Sequence, residues 1–101
     1  MKPTLVLFAM LFAATARAEE VIVSQKEKTF APGTVTVKKG QTVTFSNDDS
    51  VAHNVFSKGA KFNLKIQAPG ERKSFSFDEP GTHEVRCAIH PKMILRVTVT
   101  P

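Results

Sequence analysis

Apolar side chains occupy every second position over several short stretches of the chain, which is the period of a half-buried β-strand. Five stretches alternate in this way, and the apolar segment 21–23 is a sixth candidate strand; the five are residues 34–38, 42–46, 74–77, 83–87 and 95–99. Turn-forming residues separate them, namely Pro32-Gly33, Lys39-Gly40, Asn47-Asp48-Asp49, Pro69-Gly70 and Pro80-Gly81. Several short strands at this spacing predict an all-β fold, which we expect to be a small antiparallel β-sandwich.

The segment 57–68 has the least decisive pattern. It contains three lysines (Lys58, Lys61 and Lys65), with weak alternation of apolar residues between them. The segment is compatible with a strand, a loop or a short helical turn, and we interpret the lysines as a solvated face. No window of a dozen residues has convincing helical periodicity.

The N-terminus is typical of a secretory signal. Lys2 is followed by an apolar run, Leu5 to Ala14, and Ala16-Arg17-Ala18 matches a small-x-small cleavage pattern. The run is shorter than the about 20 residues that a membrane span needs, so we expect no membrane anchor. We predict a signal peptide at 1–18, one domain at 19–101 and a periplasmic location.

Size and charge narrow the possible functions. Cleavage after residue 18 of the 101 leaves 83 residues. Domains of this size often need a disulfide or a bound metal to stabilise the fold. One cysteine cannot form an internal disulfide. Of 14 basic and 9 acidic residues, Lys2 and Arg17 lie in the predicted signal, which leaves a net charge of +3. This bias suggests a partner with an acidic face and is too weak to indicate nucleic-acid binding.

The candidate chemistry lies between residues 87 and 93. Cys87, His90 and Met93 follow one another at a spacing of Cys-x2-His-x2-Met, and they include the only Cys and the only Met of the predicted mature chain. A thiolate, an imidazole and a thioether suit a soft transition metal. A second histidine from a distant segment, for which His53 is the obvious candidate, would complete a trigonal His₂Cys plane with a weak axial Met. That is the donor set of a blue-copper electron-transfer centre.

These residues resemble those of the cupredoxins, small blue copper proteins of the plastocyanin, amicyanin and pseudoazurin type. The ligand loop, with Pro91 after the histidine, is similar to that of amicyanins. The stretch from Phe30 to Asn47 resembles the N-terminal strands of the family, and Val51-Ala52-His53-Asn54-Val55 resembles the segment with the first ligand. The resemblance covers nearly all of the predicted mature chain and implies a Greek-key, cupredoxin-like sandwich.

The resemblance also implies a site. It makes His53, Cys87, His90 and Met93 the ligands of one copper ion that alternates between Cu(I) and Cu(II). Asn54 then matches the position whose backbone amide contacts the thiolate and whose side chain braces the ligand loop. The implied function is single-electron transfer by a monomeric protein that is not an enzyme. We expect transient docking near His90 of a redox protein, such as a cytochrome or a dehydrogenase, with an acidic face.

Other interpretations of the same residues remain open. A periplasmic copper buffer, carrier or tolerance protein would use the same four ligands, and Zn²⁺ could occupy them. A cysteine hydrolase with a histidine base is a third class, but it leaves Met93 unexplained and has no evident third group. His83, the remaining histidine, is interpreted as structural or solvated.

Overall fold

The structure, a computed structural model, describes residues 20–101. They form nine strands: β1 (Val21–Lys26), β2 (Thr29–Ala31), β3 (Thr34–Lys38), β4 (Gln41–Asn47), β5 (His53–Ser57), β6 (Phe62–Gln67), β7 (Arg72–Phe77), β8 (Gly81–Cys87) and β9 (Ile94–Thr100). The predicted signal peptide at 1–18 lies outside the described residues. Within 20–101 there is no helix with the length and hydropathy that a membrane crossing requires.

The strands form two sheets. One has the order β2-β1-β4-β7 and the other the order β3-β9-β8-β5-β6. Five of the seven strand pairings are antiparallel, whereas β1 with β4 and β3 with β9 are parallel. The predicted all-β sandwich is therefore confirmed, and the two parallel pairings are a feature that alternation of side chains cannot reveal.

All six predicted strands are present, and the structure adds three. The short β2 and the ligand-bearing β5 lacked a clear alternating pattern. The uncertain segment 57–68 forms a turn followed by β6, and it contains two residues with left-handed backbone angles, Lys61 (φ 57°) and Lys65 (φ 65°). A β-bulge between Asn54 and Phe56 shifts the register of β5 against β6, which disturbs the simple period of two in this region.

The core lies between the two sheets and consists of the inward-facing residues of the alternating strands. Val43 and Phe45 of β4 and Val85 of β8 have no exposed surface. Phenylalanine rings fill the space toward the sheet edges: Phe62 stacks on Phe75 with ring centroids 4.0 Å apart. Burial of these apolar side chains is the main driving force for closing the sandwich.

A buried amide network shapes one end of the sandwich. The Asn47 side chain donates hydrogen bonds to the carbonyl oxygens of Val51 (3.0 Å) and Gln67 (2.9 Å) and accepts one from the Asp49 amide (3.0 Å). The Gln67 side-chain oxygen in turn accepts a hydrogen bond from the Gln25 amide, 3.1 Å away on β1. Because the Asn47 and Gln67 side chains bond mainly to backbone groups, they hold the loop between β4 and β5 in one conformation.

Candidate metal centre

Two neighbouring strands bring distant residues together. β5 and β8 pair in antiparallel orientation with Val55 opposite Cys87, so the first residue of β5, His53, lies beside the last residue of β8. Cys87 is 1% exposed and His53 is fully buried. His90 follows in the loop 88–93, where its carbonyl oxygen accepts a hydrogen bond from the Met93 amide at 2.9 Å. This turn folds the loop back over the end of β8.

Three donor atoms of these residues form a compact triangle. The Cys87 Sγ lies 3.7 Å from Nδ1 of His53 and 3.7 Å from Nδ1 of His90, and the two ring nitrogens are 3.1 Å apart. A point equidistant from the three atoms lies about 2.0 Å from each, close to the bond lengths of zinc sites, about 2.0–2.1 Å to nitrogen and about 2.3 Å to sulfur. The donors therefore fit a single metal ion.

Asp49 determines which nitrogen of His53 faces this triangle. Its Oδ2 lies 3.0 Å from Nε2 of His53 and also accepts the backbone amide of Lys28 at 2.9 Å. First the Lys28 amide and then His53 lower the pKa of Asp49 from 3.8 to about 2, so it is ionised and can only accept. Nε2 must then carry the proton, which leaves the lone pair of Nδ1 directed at Cys87 and His90.

The Asn54 backbone supports the thiol and the loop. Its amide donates to the Cys87 Sγ at 3.3 Å, and its carbonyl oxygen accepts the Ala88 amide at 3.1 Å. The resemblance implies that the Asn54 side chain braces the ligand loop. In the structure its Nδ2 donates instead to Asn63 of β6 at 3.2 Å. The backbone of Asn54, rather than its side chain, therefore holds the first residue of the loop.

Met93 and His90 differ in their exposure. Met93 precedes β9, is 2% exposed and belongs to the hydrophobic core. His90 lies at the surface of the domain, in an open cleft of about 380 Å³ lined by Lys28, Ile89, His90, Pro91 and Lys92. Desolvation and then the neighbouring His53 lower the pKa of His90, which favours the neutral ring that a metal requires.

Sequence reasoning missed two groups that support the centre. The sequence pattern indicates only a polar turn at Asp49, although Asp49 lies four residues before His53 and contacts it. The second group is the buried pair of Asn47 and Gln67, which are 20 positions apart in the sequence. This pair holds the loop between β4 and β5. A carboxylate shortly before a predicted metal-binding histidine is the one local signal that could have suggested such a contact.

A two-sheet sandwich with two imidazoles and one thiol clustered at its end, the thiol and one imidazole buried, defines a mononuclear copper protein of the blue-copper type. The family described as copper binding proteins, plastocyanin/azurin family, matches residues 18–100. The chain belongs to this family, and its cofactor is copper.

Individual relatives agree with this assignment. The chain is 34% identical to amicyanin of Paracoccus denitrificans over 94 residues, covering 87% of this chain and 72% of the relative. It is 33% identical to the chloroplastic plastocyanin of Hordeum vulgare over 106 residues, covering 90% and 68%. Among solved structures, amicyanin of Paracoccus versutus superposes with a TM-score of 0.73 at 28% identity, covering 86% of this chain and 87% of that one.

Proposed function

We propose that this protein carries single electrons between redox partners through one copper ion. His53, Cys87 and His90 would hold the ion, and Met93, buried just before β9, would supply the fourth donor. The triangle of Sγ and two Nδ1 atoms supports this proposal most directly. Copper, when bound, supplies the one-electron couple. A site with four protein donors leaves no open position for a substrate, which agrees with a family whose curated relatives are amicyanins and plastocyanins.

The protein's contribution is to keep the donors still. Cys87 is held by the end of β8 and the Asn54 amide, and His53 is held by Asp49. Donors that are already positioned need little rearrangement when the charge of the site changes, which favours rapid electron exchange. The same rigidity and the burial of Cys87 and His53 favour a retained cofactor over a transferable one. They therefore favour the electron carrier over the copper buffer or tolerance protein.

Electrons would pass through the edge of His90. Ile89 beside it is 45% exposed, and Pro91 extends the apolar surface on the other side. Lys92 and Lys28 line the same cleft, Lys28 being contributed by the turn between β1 and β2. An apolar contact flanked by two ammonium groups suits a redox protein with an acidic face, and a small contact of this kind favours a transient complex.

We also propose where the protein acts and in what form. Residues 1–18 would be removed as a signal peptide, and residues 19–101 would act as a monomeric cupredoxin domain in the periplasm, without a membrane anchor and without binding nucleic acid. The apolar run and the small residues before Glu19 support export.

The visible spectrum of the oxidised, copper-loaded mature protein tests the proposal. Charge transfer from the Cys87 thiolate should give an intense blue to green band. The chain has no Trp and no Tyr, so absorbance at 280 nm should be weak and the visible-to-ultraviolet ratio unusually high. A pale protein with only weak d–d bands would exclude thiolate ligation and with it the proposed site.

Substitution of Met93 tests the axial position. Met93→Gln introduces a harder oxygen donor, which stabilises Cu(II), so the reduction potential should fall while copper is retained. Met93→Leu keeps an apolar side chain of similar size and removes the donor, so the potential should rise. We expect shifts on the order of 60 mV, which corresponds to a tenfold change in relative affinity for the two oxidation states. Two variants that leave the potential unchanged would show that Met93 is not axial.

A further inference from the structure

The tight turn between β1 and β2 approaches the proposed copper centre from strands that carry none of the ligands. β1 and β2 pair with Lys26 opposite Thr29, so only Glu27 and Lys28 connect the two strands. Hairpin turns of two residues favour left-handed backbone angles at both positions, where Asn-Gly is the preferred sequence. Glu27 (φ 52°) and Lys28 (φ 56°) adopt these angles with long side chains. The turn is therefore held in a conformation that its residue types disfavour.

This conformation determines where the Lys28 amide points. The amide donates to Oδ2 of Asp49 at 2.9 Å, and the same oxygen lies 3.0 Å from Nε2 of His53. The second carboxylate oxygen, Oδ1, accepts the amide of the adjacent Ser50 at 2.8 Å, a local bond that does not tie Asp49 to another strand. One carboxylate oxygen therefore connects the turn to a proposed copper ligand.

The preceding residue fixes the same loop to β1. The Asp48 amide donates to the Gln25 carbonyl oxygen at 2.9 Å, and the Asp48 carboxylate accepts the hydroxyl of Ser24, which is also on β1. Two successive residues of the loop between β4 and β5 are thus bonded to one hairpin, Asp48 to its first strand and Asp49 to its turn. Because Asp48 sets the position of the loop, the Lys28 amide can set the direction of the Asp49 carboxylate.

We propose that Glu27 and Lys28 form a positioning element of the copper centre: their left-handed turn aims the Lys28 amide at Asp49 and so keeps that carboxylate on His53. The inference rests on the proposed function, since it concerns the ion that His53 would hold. Backbone angles that cost energy persist where the surrounding structure maintains them, and they cluster at functional sites. Here the pairing of β1 with β2 and the bond to Asp49 maintain them.

Loss of this turn geometry should raise the reduction potential of the copper site. Without the Lys28 amide, the Asp49 carboxylate loses the donor that holds it in place and can turn from His53 toward solvent. A weaker acceptor at Nε2 makes the ring a poorer electron donor through Nδ1, which disfavours Cu(II). The carboxylate itself remains, so we expect only about a threefold change in relative affinity for the two oxidation states, or about 28 mV at about 59 mV per factor of ten.

Two variants of one residue test the turn by voltammetry of the copper-loaded proteins. Glu27→Pro fixes φ near about −65° and excludes the left-handed turn, whereas Glu27→Gly permits it, and both remove the same charge. The potential should be higher for Glu27→Pro by the threefold change in affinity. In an Asp49→Asn background this difference should vanish, because the turn then has no carboxylate to hold. A displaced Lys28 ammonium, which lines the cleft at His90, would instead shift the potential in both backgrounds.

A backbone substitution decides the question if Glu27→Pro does not fold. Replacing Lys28 by its α-hydroxy acid turns the amide into an ester, which removes the donor and keeps the side chain. The same replacement at Lys38, whose amide donates to Oε1 of Gln41 at 3.0 Å, is the matched control and should not change the potential. Equal potentials of the two Glu27 variants, a difference that persists in the Asp49→Asn background, or equal effects of the two esters would each overturn this inference alone. A wild-type protein without the visible band would overturn the proposed function and the inference with it.

Discussion

Replacing Cys87 with serine should abolish the intense visible band of the copper-loaded protein and remove most of the thermal stabilisation that copper provides. The band requires a thiolate bonded to Cu(II), and a serine hydroxyl is neither deprotonated nor soft enough to replace it. Absorption spectra and melting curves of the loaded wild-type and variant proteins measure both effects.

The expected loss of stability is large because the ion binds only the folded state. A ligand present at about a thousand times its Kd stabilises the native protein by about 4.1 kcal/mol. For a domain of this size each kcal/mol shifts Tm by about 4–8 °C, so copper should raise the Tm of the wild-type protein by on the order of 20 °C. Copper binding is coupled to folding because the three donor atoms come from the ends of β5 and β8 and from the loop 88–93, which are brought together only in the folded protein.

The metal-free proteins provide the control for this comparison. Serine is close in shape to cysteine and can accept the Asn54 amide that Cys87 accepts, so the metal-free variant should melt near the metal-free wild-type protein. A large difference between the two metal-free proteins would indicate a packing defect rather than a lost ligand. A Cys87→Ser protein that keeps both the band and the gain in Tm would contradict the proposed site.

Asp49→Asn should raise the reduction potential of the copper site by about 60–120 mV. The carboxylate of Asp49 accepts the Nε2 proton of His53, which makes the ring a better electron donor through Nδ1 and favours Cu(II) over Cu(I). An uncharged amide weakens this effect, so Cu(II) is destabilised and the potential rises. Loss of such a partner typically lowers metal affinity by 10–100-fold, and about 59 mV corresponds to each factor of ten for one electron.

Asp48→Asn is the matched control for Asp49→Asn. It removes the same charge one residue away, but the Asp48 carboxylate accepts the hydroxyls of Ser24 and Ser46 and has no bond to His53. Voltammetry of the two variants should show a much smaller shift for Asp48→Asn. Equal shifts would assign the effect to long-range charge and not to the contact between Asp49 and His53.

Most of the strands could be predicted because their information is local. In the pair Val43 and Phe45, or in Val97 and Val99, alternation alone distinguishes a buried face from an exposed one. The spacing of Cys87, His90 and Met93 is likewise local, so the chemistry of the loop can be inferred without the fold. β5 was missed because a bulge and two buried polar residues, His53 and Asn54, obscure its period.

The all-β class, six of the strands and the soft-metal loop follow from the sequence alone. The three-dimensional structure was needed to show that β1 and β4 run parallel, and that the Asp49 carboxylate contacts both the Lys28 amide and His53. The reason is that such contacts follow from the order and register of the strands. Side-chain alternation sets which face of each strand is buried and leaves the neighbouring strand undetermined.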